Sequence, residues 1–98
     1  MDHDEDMQAL LDLLEEALLL ASQYSGGYSE GFMSAEAFHT TLAASVERLK
    51  AGDHTELDHL YLWFAPAGVW EDLTGHVALG DIIFEKAGDL QHRLLNNS

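Results

Sequence analysis

A chain of 98 residues, 47% of them hydrophobic, is long enough for one core and too short for two, so a single domain over residues 1–98 is expected. It contains no cysteine, which excludes thiolate catalysis, disulfide staples and cysteine-ligated zinc. Four Lys/Arg against eighteen Asp/Glu leave a formal charge of −14, so no basic footprint for direct nucleic-acid contact can be assembled and anionic lipid is repelled.

In chain order, the first helix is predicted over Asp4–Tyr24. Met7, Leu10, Leu11, Leu14, Ala17, Leu18, Ala21 and Tyr24 recur at three- and four-residue steps and form one apolar stripe, widened by Leu13 and Leu20. Asp12, Glu15, Glu16 and Gln23 fall on the opposite side, and Leu19 falls among them as an exposed residue. Asp4, Glu5 and Asp6 sit where the helix macrodipole favours negative charge. Three glycines in Ser25–Gly31 read as a connector, and the Lys-Ser/Thr that a phosphate-cradling loop requires does not follow them.

Ser34 announces a second helix as its N-cap, with Met33 and Phe38 placed as a hydrophobic staple. Ala35, Phe38, Leu42, Ser45, Val46 and Leu49 supply its buried side, and Gly52 after Arg48 and Lys50 marks its stop. A third, shorter helix begins at Asp53-His54-Thr55, carries Leu57, Leu60, Tyr61 and Phe64, and ends before Pro66. Ala67–Leu73 is either a tight turn or one short helical segment. The final helix, His76–Leu95, presents Leu79, Ile82, Ile83, Ala87, Leu90 and Leu94 to the core, with Val77, Phe84 and Leu95 on another side. No strand-like alternation or repeat is present, and the pattern predicts an all-α fold: an irregular antiparallel bundle of four main helices plus a short helical turn.

Chemistry finds little support. Glu36-x-x-His39 and Glu56-x-x-His59 have the spacing of di-iron ligands, but helical geometry turns Glu36 and His59 away from the buried sides of their helices. Surface histidines are the expectation, with no metal and no cofactor. His54 and His59 are five apart, so they do not share a helical face. No Gly-x-Ser-x-Gly elbow is present. Trp70-Glu71-Asp72 is the most site-like cluster, since an aromatic beside paired carboxylates can raise a pKa by desolvation, yet it serves equally as a helix start or an acidic rim. The chain is not expected to be an enzyme.

Tyr61-Leu62-Trp63-Phe64 through Trp70 gathers both tryptophans and one tyrosine into ten residues, bracketed by Asp53, Glu56, Asp58, Glu71 and Asp72. Aromatic anchors within a ring of charge describe many protein interfaces, while the competing reading places Tyr61, Phe64 and Trp70 in the core. Candidate partner-binding residues are therefore Asp53, Glu56, Asp58, Trp63, Trp70, Glu71 and Asp72.

The segments Leu49-x-x-Gly52-Asp53, Leu60-Tyr61-Leu62-Trp63-Phe64-Ala65-Pro66, Trp70-Glu71-Asp72-Leu73 and Leu79-Gly80-x-Ile82-Ile83-Phe84 cover about half the chain. They resemble a group of small acidic bacterial proteins that are in turn similar to toxin-immunity proteins. In that group Trp-Asp-Asp is usual where this chain has Trp70-Glu71-Asp72, a departure that keeps both charges. The resemblance implies a cytoplasmic binder that neutralises a basic partner by occlusion, and a monomer or homodimer is expected. That partner is expected to be a toxin or, in a phage-type inhibitor imitating the charge of DNA, a nucleic-acid-binding enzyme. A small enzyme with a carboxylate–histidine pocket is the remaining alternative.

Overall fold

Periodic apolar stripes, one side-chain N-cap and one glycine stop account for most of the elements in the computed structural model, which describes residues 2–24, 34–66 and 68–95. The elements are α1 (Asp2–Ala21), α2 (Ala35–Lys50), α3 (Glu56–Trp63), α4 (Val69–Thr74) and α5 (Val77–Leu95), with no strand among the described residues. The Ser25–Gly31 connector, the Met33 half of the staple and Ala67 lie outside the described residues.

The ends of α2 show the local rules at work. Ser34 is in an extended conformation and its Oγ accepts from the backbone N–H of Ala37 at 3.1 Å, satisfying one of the donors a helix start leaves open. At the other end Gly52 takes φ 103°, Gly52 N donates to Leu49 O at 3.0 Å and Asp53 N to Arg48 O at 3.0 Å, which is the Schellman pattern. α1 stops three residues earlier than predicted. Gln23 N and Tyr24 N donate to the carbonyls of Leu20 and Ala21, three residues back, and the tightened turn releases Tyr24 from the helix. Thr55 precedes α3 without capping it. Asp53 closes the turn ahead of it, its Oδ1 accepting from Thr55 N at 3.2 Å and from the Thr55 hydroxyl.

Contacts between helices set their directions. Tyr24 meets His76 at one end of α1 while Arg93 pairs with Asp6 at the other, so α1 and α5 run antiparallel. Ser45 meets Glu56 and Phe38 meets Trp63, so α2 and α3 are antiparallel. Gln91 meets Asp58 and Phe84 meets Tyr61, so α3 and α5 are too. The four longest helices pack in a cycle, α1 on α2, α2 on α3, α3 on α5 and α5 on α1, with α4 against α5.

The cycle encloses one core. Leu10, Leu14, Ala17 and Ala21 from α1 meet Phe38, Leu42, Val46 and Leu49 from α2. Leu57 and Leu60 from α3 meet Ile83, Ala87 and Leu90 from α5, and Phe64, Val69 and Trp70 complete the interior. Each fully buried large side chain stabilises the fold by about 1.5–3 kcal/mol relative to exposure. Two core expectations are corrected. Ile82 is 44% exposed, because the buried stripe of α5 runs through Ile83, Ala87 and Leu90 and leaves residue 82 on its edge. Tyr61 is half-buried, since it leans on the outside of α5. Leu19 is exposed as predicted.

Two glycines inside α5 accommodate aromatic rings. A Cβ at Gly80 would stand 2.5 Å from Trp70 Cδ1, and one at Gly88 would stand 2.8 Å from Tyr61 Cε1. Each glycine costs helix stability of about 1 kcal/mol relative to alanine, and close ring packing is what it makes room for.

Candidate functional site

The seven residues proposed from sequence do not form one surface. Trp70 is fully buried: its indole lies 4.9 Å from Phe64 and 6.4 Å from Phe38, and its Nε1–H donates to the carbonyl of His76 at 2.8 Å. It is a core side chain, a correction to its place as a surface anchor. Each step along a helix turns about 100°, so Asp72, two residues on, projects to nearly the opposite side, and its exposure does not imply an exposed indole.

Glu56 is corrected as well, being only 5% exposed. Its Oε1 accepts from the hydroxyl of Ser45, itself fully buried, at 2.6 Å and from His59 Nδ1 at 3.2 Å. Its Oε2 accepts from Arg48 Nε at 3.1 Å. Burial alone pushes this carboxyl up, but the hydrogen bonds from Ser45, His59 and Arg48, with the charge of Arg48, outweigh it and hold the group below its ordinary value. Glu56 thus ties α3 to α2. The Glu-x-x-His pair it forms with His59 closes on itself, and no group of three or more His, Asp or Glu among the described residues is arranged to hold a metal ion.

Trp63 is half-buried, stacked on His59 at 5.4 Å and set edge-on to Phe38 at 5.9 Å. It is the outer end of an aromatic chain whose inner end is Trp70. Asp53 is exposed but engaged in the turn before α3. Glu71 and Asp72 occupy the first turn of α4, one half-buried and the other exposed. Asp58 is exposed and accepts a hydrogen bond from Gln91 of α5.

Asp58 leads to a feature that sequence reasoning missed, an open groove of about 610 Å³ along α3 and α5. Tyr61 and Phe84 form its aromatic wall, their rings stacked at 4.4 Å with 24° between planes. Glu85 and Asp89, one turn apart on α5, supply its acidic rim, with His92 and Gln91 at one end. Gly88 allows Tyr61 to close against the helix. Periodicity alone gave only half of the signal: Phe84 stands off the buried stripe, and a glycine inside a helix marks a close approach, but neither names Tyr61 as the partner.

A smaller hollow of about 210 Å³ lies where α1 ends and α2 begins, lined by Ala21, Ser22, Tyr24, Glu36, His39 and Thr40. The Tyr24 hydroxyl and His76 Nε2 share a hydrogen bond of 2.8 Å beside it. Glu71 and Asp72 line neither hollow.

Ion pairing separates the two signs of charge. Arg48 pairs with Glu56, Lys50 with Glu15 at 2.6 Å and Glu47 at 3.5 Å, and Arg93 with Asp6 at 2.5 Å. Asp81, Glu85 and Asp89 of α5 are exposed, and among the described residues none of them has a cationic partner. The groove therefore lies within a field of uncompensated negative charge. Among the described residues no helix is long and apolar enough to cross a membrane.

No protein-family model, curated protein or solved structure matches this chain.

Proposed function

We propose that this protein is a small acidic inhibitor that binds a basic protein and neutralises it by occlusion. The observation that carries this reading is the groove between α3 and α5, where an aromatic wall stands beside acids that have no cation of their own. The charge of −14 steers a basic partner toward it and raises the rate of encounter. A bacterial toxin is the partner implied by the resemblance of the Leu60–Pro66 and Trp70–Leu73 segments to immunity-type proteins, and that likeness also implies a cytoplasmic setting. Contact falls to Asp58, Tyr61, Phe84, Glu85 and Asp89, with Trp63 on the same helix as Tyr61 and with Asp53, Glu71 and Asp72 adding to the field.

One observation favours a partner whose basic surface normally holds nucleic acid. Asp81, Glu85 and Asp89 follow one another at four-residue steps, roughly 6 Å of helix rise apart, a row of negative charge such as a phosphate backbone offers. Displacement of the protein from its partner by DNA would single out that class.

The test is co-purification of the tagged chain from its native host at low salt. A basic protein recovered in stoichiometric amount, and released as salt rises, is the expected result. Recovery of the free chain alone counts against the proposal.

A further inference from the structure

We infer that the α3–α5 groove seats an arginine side chain carried by a basic segment of the partner, an inference that rests on the binder reading and specifies its chemistry. Three features of the groove select that occupant.

The wall is aromatic. Tyr61 and Phe84 both line the groove and stack on one another, so a guanidinium would lie on a face that this pair leaves uncovered, where the π-face of a ring attracts a cation. A guanidinium is itself planar and weakly hydrated, so it stacks on an aromatic surface where an ammonium keeps its water. The rim is anionic, with Glu85 and Asp89 one helical turn apart and their side chains within reach of one guanidinium fork.

The protein's own cations do not fill the site. Arg48, Lys50 and Arg93 are engaged with Glu56, with Glu15 and Glu47, and with Asp6. Lys86 follows Glu85 in sequence, about 100° around the helix, and lines no part of the groove. The rim carboxylates have neither an ion pair nor a hydrogen bond from a described residue to offset their charge.

A second copy of the chain is a poor occupant, since each copy carries −14 and would bring like charge to the rim. The volume of about 610 Å³ lies within the range of roughly 300–1,000 Å³ typical of ligand sites, ample for one long side chain and its flanking backbone.

The experiment is a titration of the intact chain with acetylated, amidated nona-arginine, followed by amide NMR shifts, with nona-lysine in parallel. Expected is a set of shifts centred on Tyr61, Phe84, Gly88 and Asp89, and tighter binding of the arginine peptide. The Glu85→Gln/Asp89→Asn double variant weakens binding by about tenfold or more, as loss of charge-assisted hydrogen bonds requires. An Asp12→Asn/Glu16→Gln variant makes the same change of charge at exposed positions of α1, which lines no part of the groove, and stays within about twofold, the effect of a screened charge outside the site. Shifts spread evenly over the acidic surface, equal weakening by the two double variants, or equal affinity for nona-lysine would each overturn the inference. Those outcomes leave the binder reading standing, because co-purification decides it separately. No binding of either peptide at low salt, together with no recovered partner, removes both.

Discussion

Gly80 of α5 lies against the indole of Trp70 so closely that a methyl group in its place would stand 2.5 Å from Cδ1 and 3.1 Å from Nε1. The indole has nowhere to go: its N–H is held by the carbonyl of His76, and its ring is wedged against Phe64. Gly80→Ala adds about 1 kcal/mol of helix propensity but overpacks the core at a cost of about 1–3 kcal/mol, so a net loss is expected in urea denaturation. Gly88→Ala makes a similar contact with Tyr61, a half-buried ring able to swing outward, and stays within about 1 kcal/mol of the parent. Equal effects at the two sites would refute the contrast.

Of α2, α3 and α4, α2 alone has a start capped by a side-chain oxygen, that of Ser34. Ser34→Ala removes the bond to Ala37 N and should cost about 1 kcal/mol, whereas Ser34→Gly should cost only a few tenths. Comparing the two denaturation midpoints checks the assignment, because a loss of packing would penalise glycine at least as much.

Glu56 gives the fold an acid-sensitive joint. Its carboxyl is held below the ordinary value of 4.5 in the folded protein, so the folded state binds this proton less readily than the unfolded chain. The stability it contributes is complete above that ordinary value and is lost as pH falls through the depressed folded value. Glu56→Gln is expected to cost about 1–3 kcal/mol at neutral pH, the worth of hydrogen bonds to a buried charge. The gap between variant and parent should narrow as pH falls below 4.5. A gap that stays constant with pH would show that Ser45, Arg48 and His59 do not favour the ionised form.

The two tryptophans should report differently. Trp70 is fully buried, while Trp63 is half-buried and stacked on His59. In a Trp63→Phe variant the remaining emission should be blue-shifted and resist quenching by acrylamide. In a Trp70→Phe variant it should lie further to the red and be quenched readily, with a stability loss from the missing core indole of about 1–3 kcal/mol. Similar quenching of both would contradict their placement.

Much of the fold was legible because it obeys local rules. The stripe Leu10–Leu14–Ala17–Ala21, the cap at Ser34 and the stop at Gly52 each depend on residues within a turn or two, and the described structure has all three. The site was less legible because its determinants are distant in sequence. Glu56 reads as a surface acid until Ser45 and Arg48, eleven and eight residues earlier, are brought to it by the antiparallel packing of α2 and α3. Tyr61 and Phe84 are partners only because α3 and α5 pack with Gly88 between them. Trp70 misled for the opposite reason: its acidic neighbours in sequence project elsewhere, and the ring's surroundings come from Phe38, Phe64 and Gly80.

Lys50 fastens α2 to α1, Arg48 fastens it to α3, and Arg93 fastens α5 to α1. Positive charge is thereby employed as internal stitching, and little of it is left to draw another copy near. Two molecules approaching in dilute buffer meet mutual repulsion, so the osmotic second virial coefficient is expected to be large and positive, shrinking toward the excluded-volume value as added salt shortens the Debye length.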